Sequence, residues 1–166
     1  MARNGRRKPL GVDTNLLLDL AREFEVAHEF REVFQAAGYT LLAGPTVFEE
    51  LGFAALHGNE EERALAQKAV AQAAAWGIRP FDLSDVERAI AERFAVRLLD
   101  RGLLPEEEFN DALILAECAL AGIPLLVTSD RHLLDVDADA LALTFNDADL
   151  APVHPVHPKA LLKALR

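Results

Sequence analysis

Short apolar runs alternate along the chain with longer stretches in which hydrophobic residues recur every three or four positions. The runs cover residues 9–12, 39–43, 78–81, 124–128 and 141–145, each of a length suited to a strand buried on both faces. Between them Val26, Phe30, Val33, Phe34 and Ala37 share one helical face, while Glu25, Glu29 and Glu32 fall largely elsewhere. Further helices are expected over 14–20, over 45–56 with Pro45 suited to the first turn, and over the Ala-rich 60–76. Ser84 or Asp85 can cap another, which runs to about Arg101 and stops at Gly102. The next starts at Pro105 or Asn110 and ends before Gly122, and a last one covers 158–165. Strands alternating with helices in this way predict an α/β three-layer sandwich with a central, mainly parallel sheet.

Length and composition agree with one folded unit. The 166 residues are 51% apolar and 27% charged, enough to bury a core without metals or disulfides as staples. No Gly/Ser or Pro linker interrupts the chain before the Pro-rich 152–158 near its end. A single domain over 1–166 is expected, with the basic start, Arg3 to Lys8, as a flexible arm. The lone cysteine, Cys118, cannot form an internal disulfide, and no export signal or membrane-length apolar stretch is present, so a cytoplasmic location is expected. The net charge of −10 argues against coating of polyanions by the whole-molecule field. A nucleic-acid substrate stays open, because acids that hold divalent cations add to the negative count while the cations reverse the local potential.

Several chemistries are excluded by what the chain lacks. No two glycines stand closer than six residues apart, so neither G-x-G-x-x-G nor a P-loop occurs. Ser84 and Ser129 are the only serines, neither in G-x-S-x-G, and Cys118 sits in an apolar segment without an adjacent base. His154 and His157 are an odd number of residues apart, which points them to opposite faces of an extended segment rather than to one metal. A phosphoacceptor receiver domain would need a lysine after a late strand. Lys8, Lys68, Lys159 and Lys163 do not supply one.

Carboxylates in unusual places remain. Asp13 follows a predicted strand directly and Asp130 follows another, at the sheet edge where open α/β folds place ligands; each can equally be a helix cap. Asp111 shares a helix face with Leu115, Cys118 and Gly122, where an ionised carboxylate requires a partner. Glu50 falls in the stripe of Val47, Leu51 and Ala54, whereas Glu49 shares a face with Gly52, Phe53 and Leu56, and periodicity does not decide between them. Four acids at one edge repel one another unless a cation lies between them, and oxygen-only ligation selects Mg²⁺ or Mn²⁺. Such a site supports metal-assisted phosphodiester hydrolysis without a histidine base.

These residues stand in four segments: Gly11-Val12-Asp13-Thr14-Asn15-Leu16-Leu17, Val47-Phe48-Glu49-Glu50-Leu51, Asn110-Asp111-Ala112-Leu113-Ile114-Leu115-Ala116 and Leu126-Val127-Thr128-Ser129-Asp130. In order, context and the step of nineteen residues from Asp111 to Asp130, the set resembles the PIN-domain nucleases, including the VapC-type toxins of toxin–antitoxin pairs. The resemblance implies a metal-dependent ribonuclease that cuts single-stranded or loop RNA, with Asp13, Glu50, Asp111 and Asp130 holding one or two Mg²⁺ or Mn²⁺ ions. It favours Glu50 over Glu49, because the family's acid on this helix is usually followed by an aliphatic residue, here Leu51. It assigns supporting roles to Asn15 and Thr128, and implies a homodimer and, for toxin members, a small antitoxin partner. A PIN-like binding module that does not cut is the alternative. The acidic segment through Asp135, Asp137, Asp139, Asp147 and Asp149, and Leu133-Leu134 where an aromatic is frequent, depart from compact toxins.

Two further features concern substrate and partner. Placed at about 100° per residue, Arg97 and Arg101 fall inside the arc of Val86, Ile90 and Phe94. An apolar stripe that turns basic is expected either to grip RNA phosphate at a cleft edge or to pair with local acids. Phe53, Leu56 and Trp76 fit either a partner surface or the core.

Overall fold

The computed structural model describes residues 6–166. Five parallel strands, β1 (Lys8–Val12), β2 (Tyr39–Ala43), β3 (Ile78–Pro80), β4 (Leu125–Val127) and β5 (His154–Val156), form one sheet in the order β3-β2-β1-β4-β5. The chain steps outward from β1 through β2 to β3, then returns across the sheet to β4 and on to β5. Parallel crossovers are right-handed, so reversing the direction of travel moves the connecting helices to the opposite face and gives the expected three layers. The reversal also makes the carboxyl ends of β1 and β4 a topological switch point, where a crevice opens.

Helices α1 (Thr14–Ala21) and α2 (Glu25–Ala36) link β1 to β2, and α3 (Pro45–His57) and α4 (Glu60–Gln72) link β2 to β3. The pair α5 (Asp85–Asp100) and α6 (Phe109–Leu120) carries the chain back to β4. Short α7 (Arg131–Leu134), α8 (Ala138–Asp147) and, after β5, α9 (Pro158–Leu165) complete the layers. Ser84 caps α5 as expected, accepting a hydrogen bond from the Glu87 N–H while the Glu87 carboxylate accepts from the Ser84 N–H. The core runs along both faces of β1 and β4, where Leu10, Val12, Leu126 and Val127 are fully enclosed. Among the described residues no helix is long and apolar enough to cross a membrane.

Two expectations are corrected. Residues 141–145 belong to α8, not to a strand. Leu141 and Phe145, one helical turn apart, are buried, while Leu143 between them faces solvent, so the apparent alternation is a helical face sampled over too short a window. The fifth strand lies in the Pro-rich segment instead, and Pro155 is tolerated there because β5 is an edge. Lys8, expected in the basic arm, is the first residue of β1, with its ammonium over the Tyr39 ring; residues 1–5 of that arm lie outside the described residues. Trp76 is buried, whereas Phe53 and Leu56 are 68% and 74% exposed.

Candidate functional site

The pairing of Gly11 with Leu126 and Val12 with Val127 brings the residues that follow β1 and β4 side by side. Asp13 is the first beyond β1, and its N–H extends the ladder to the Val127 carbonyl at 3.0 Å. Its carboxylate is buried and bound at both oxygens: Oδ1 accepts from the Thr14 N–H at 2.8 Å, and Oδ2 accepts from the Thr128 hydroxyl at 2.7 Å. Thr128 is doubly used, because its Oγ1 also accepts from the Asp130 N–H at 3.0 Å. Asp130 in turn caps α7, with Oδ1 accepting from the His132 N–H at 2.8 Å. The cap and site readings of Asp13 and Asp130 thus coexist, since the carboxylates that accept from the Thr14 and His132 N–H groups also each bring an oxygen close to Asp111.

Asp111 enters from the first turn of α6 and is buried. One oxygen from each of Asp13, Asp111 and Asp130 lies within 4.8 Å of the others. The Oδ2 atom of Asp111 is enclosed and has no hydrogen-bond partner, a costly state for a buried acceptor. Burial, then the charge of Asp13, then contacts with Glu108 and Asp130, pushes the Asp111 carboxyl up to about 10. Burial likewise raises Asp13 to about 6, against the opposing bonds from Thr128 and Thr14. Acids forced toward the neutral form in this way regain their charge when a cation enters. The orphaned oxygen and the all-oxygen donor set fit a hard divalent ion.

Glu50 stands outside the three-oxygen set but is joined to it: its Oε1 accepts from the Thr14 hydroxyl at 2.8 Å, one residue from Asp13. It is half-buried, and its carboxyl is raised mainly by burial, which bonds from Thr14 and Asn110 oppose. Glu49 is exposed and lines the neighbouring cavity with Glu50, Phe53 and Asn110, and the Thr14 hydroxyl bonds Glu50 instead. The start of the helix carrying Glu50 is fixed by Glu117 of α6, whose buried carboxylate accepts from the Thr46 N–H (3.1 Å) and hydroxyl (2.7 Å). Asn15 braces the opposite rim, its Oδ1 accepting from the Ser129 N–H at 3.4 Å.

Arg97 and Arg101 make no hydrogen bond or ion pair with the four acids. Arg101 is held on α8 by Asp147 (2.9 Å) and the Thr144 hydroxyl (3.1 Å), while Arg97 lines an adjoining groove with Arg93 and Leu150. Sequence reasoning missed Thr14, Asn110 and Glu108. Thr14 had the one available signal, a hydroxyl directly after the first acid. The roles of Asn110 and Glu108 depend on how α6 begins, which spacing left open between Pro105 and Asn110.

The family model of the PIN domain matches residues 11–139. Among solved structures, the chain is similar to VapBC2 from Rickettsia felis bound to a promoter DNA fragment, with a TM-score of 0.60 at 15% identity over 90% of this chain and 98% of that one. It is similar to VapBC-1 of nontypeable Haemophilus influenzae (TM-score 0.55, 11% identity, 91% and 98% covered). It also resembles FitAcB from Neisseria gonorrhoeae (TM-score 0.51, 17% identity, 90% and 97% covered). At these identities the likeness is one of fold. No curated protein sequence matches the chain.

Proposed function

The chain belongs to the PIN-domain family, and from that premise we propose that it is a Mg²⁺- or Mn²⁺-dependent endoribonuclease acting on single-stranded or loop RNA, as the toxin of a toxin–antitoxin pair. The observation that carries this reading is the convergence of Asp13, Asp111 and Asp130 with one enclosed, unpartnered carboxylate oxygen. Asp13, Asp111 and Asp130 would hold the ion, with Glu50 beside them on the open side. When bound, a divalent cation supplies Lewis-acid polarisation of the phosphoryl group, charge for the departing oxygen and a more acidic water. Thr128 fixes the orientation of Asp13 and, through its own acceptor oxygen, of the Asp130 backbone. Thr14 holds Glu50 so that its carboxylate can receive a proton from the attacking water. Arg97, on the last turns of α5, is the candidate contact to a substrate phosphate, whereas Arg101 must first release Asp147 to serve in the same way.

The solved complexes similar to this chain are VapBC and FitAcB assemblies, which supports an antitoxin partner here. Exposed Phe53 and Leu56 on α3 suit a protein contact, and a homodimer in the cytoplasm completes the reading. The test is cleavage of a single-stranded RNA with Mg²⁺ or Mn²⁺ and with chelator. Wild type should cut only with the ion, and Asp13→Asn should lose at least about 100-fold while its circular dichroism stays native. Cleavage undiminished in chelator, or an active Asp13→Asn, contradicts the proposal. Metal-independent RNA binding without cutting would instead identify a binding module.

A further inference from the structure

A cleft of about 370 Å³ opens beside the acid site, between the α1–α2 corner and the start of α9, and no residue of the proposed hydrolysis uses it. Its floor is apolar, with Leu16, Val26, Ala27 and Pro158, and its rim carries Asp19, His157, Lys159 and Ser129. Two of these tie it to the acids. Leu16 lies three residues past Asp13 in α1, and Ser129, braced on Asn15, immediately precedes Asp130.

Phe24 stands at the entrance. The chain turns from α1 into α2 through Glu23, which has a positive φ of 62°, and the Phe24 N–H closes the corner on the Asp19 carbonyl at 3.0 Å. A non-glycine residue in the left-handed region is held there only by its surroundings. The result is a phenylalanine ring kept 53% exposed over an apolar floor. The polar rim is equally defined. His157 Nδ1 accepts from the Lys159 N–H at 3.0 Å as α9 is capped, so the remaining ring nitrogen, Nε2, carries the hydrogen in the neutral form and is a donor. Asp19, paired loosely with Arg22 at 3.4 Å, offers acceptors.

An aromatic face, an apolar floor and a rim of separate donors and acceptors are what an unpaired nucleobase requires: one surface to stack on and groups to meet its edge. We propose that this cleft seats a base of the single-stranded RNA, next to the phosphate held at the acid site, with Phe24 as the stacking surface and Asp19 and His157 as the edge readers. The proposal rests on the nuclease reading for its substrate, and the cleft's own size falls in the range of ligand pockets.

The test uses a short single-stranded RNA and a series in which one abasic ribose is walked through the positions flanking the cut. Binding by fluorescence anisotropy is measured beside cleavage, with wild type, Phe24→Ala and Asp19→Asn. In wild type one abasic position should cost about tenfold in affinity and in kcat/KM. Phe24→Ala should lose about as much on intact RNA and little more on that abasic RNA, and Asp19→Asn should change which base is preferred there. Phe24 is outside the core, so its truncation leaves the fold intact; circular dichroism verifies this. An abasic position without effect, an equal abasic penalty in wild type and Phe24→Ala, or Phe24→Ala impairing only binding of a peptide partner overturns the proposal. If no RNA is cut under any condition the nuclease reading fails, and the anisotropy series still decides whether the cleft takes a base.

Discussion

Thr128 binds two acids with one hydroxyl, donating to Asp13 Oδ2 and accepting from the Asp130 N–H. Thr128→Val keeps the buried shape and removes both bonds, leaving a carboxylate oxygen and an N–H without partners. Loss of such an orienting contact typically reduces metal affinity or activity by about 10–100-fold; Mn²⁺ titration and the RNA cleavage rate would measure it, and an unchanged Mn²⁺ affinity would deny the role. The titration of Asp13 sets a second expectation. Its folded pKa, about 6, lies above the ordinary 3.8 because of burial, so the stability it contributes is present below pH 4 and lost as pH rises through 6. For this one group the loss is up to about 3 kcal/mol. Metal-free protein should therefore melt at a higher temperature at pH 5 than at pH 7. Asp13→Asn should show less of that difference, and Mg²⁺ should raise the melting temperature at pH 7.

At the scale of the elements, the two acids that end strands were visible because a charged residue directly after an apolar run is conspicuous. Asp111 was visible because its helix is otherwise apolar. Glu50 against Glu49 was not decidable by period, since both positions border apolar stripes; what separates them is the Thr14 hydroxyl, which only the packing of α1 on α3 supplies. Strand β5 was hidden for a similar reason. Its pairing with β4 is made by backbone groups, and three residues containing a proline carry almost no pattern of their own. The packing of β1 on α6 yields a direct test: a Cβ on Gly11 would come within 2.8 Å of Cys118 Sγ and 3.4 Å of the Leu125 carbonyl. Gly11→Ala should destabilise the fold by about 1–3 kcal/mol in urea denaturation, and Cys118→Ala in the same chain should recover part of it. No recovery would place the strain elsewhere.

Over the whole molecule, the net charge of −10 and an RNA substrate are compatible only if the charge is locally reversed where phosphate sits. Buried Asp13 and Asp111 with half-buried Asp130 supply the attraction for a cation, and the parallel sheet supplies their convergence, since β1 and β4 end together at the switch point while α6 brings Asp111 over them. Exposed Phe53 and Leu56 of α3 and the open cleft at the α1–α2 corner lie outside that centre, and are where the proposed partner and the proposed RNA base would bind. Diffraction at the manganese absorption edge from crystals soaked in Mn²⁺ tests the centre most directly. The predicted result is an anomalous peak bonded to oxygens of Asp13, Asp111 and Asp130 that disappears in Asp111→Asn. Manganese bound only elsewhere on the protein, or not at all at concentrations that support cleavage, would contradict the account.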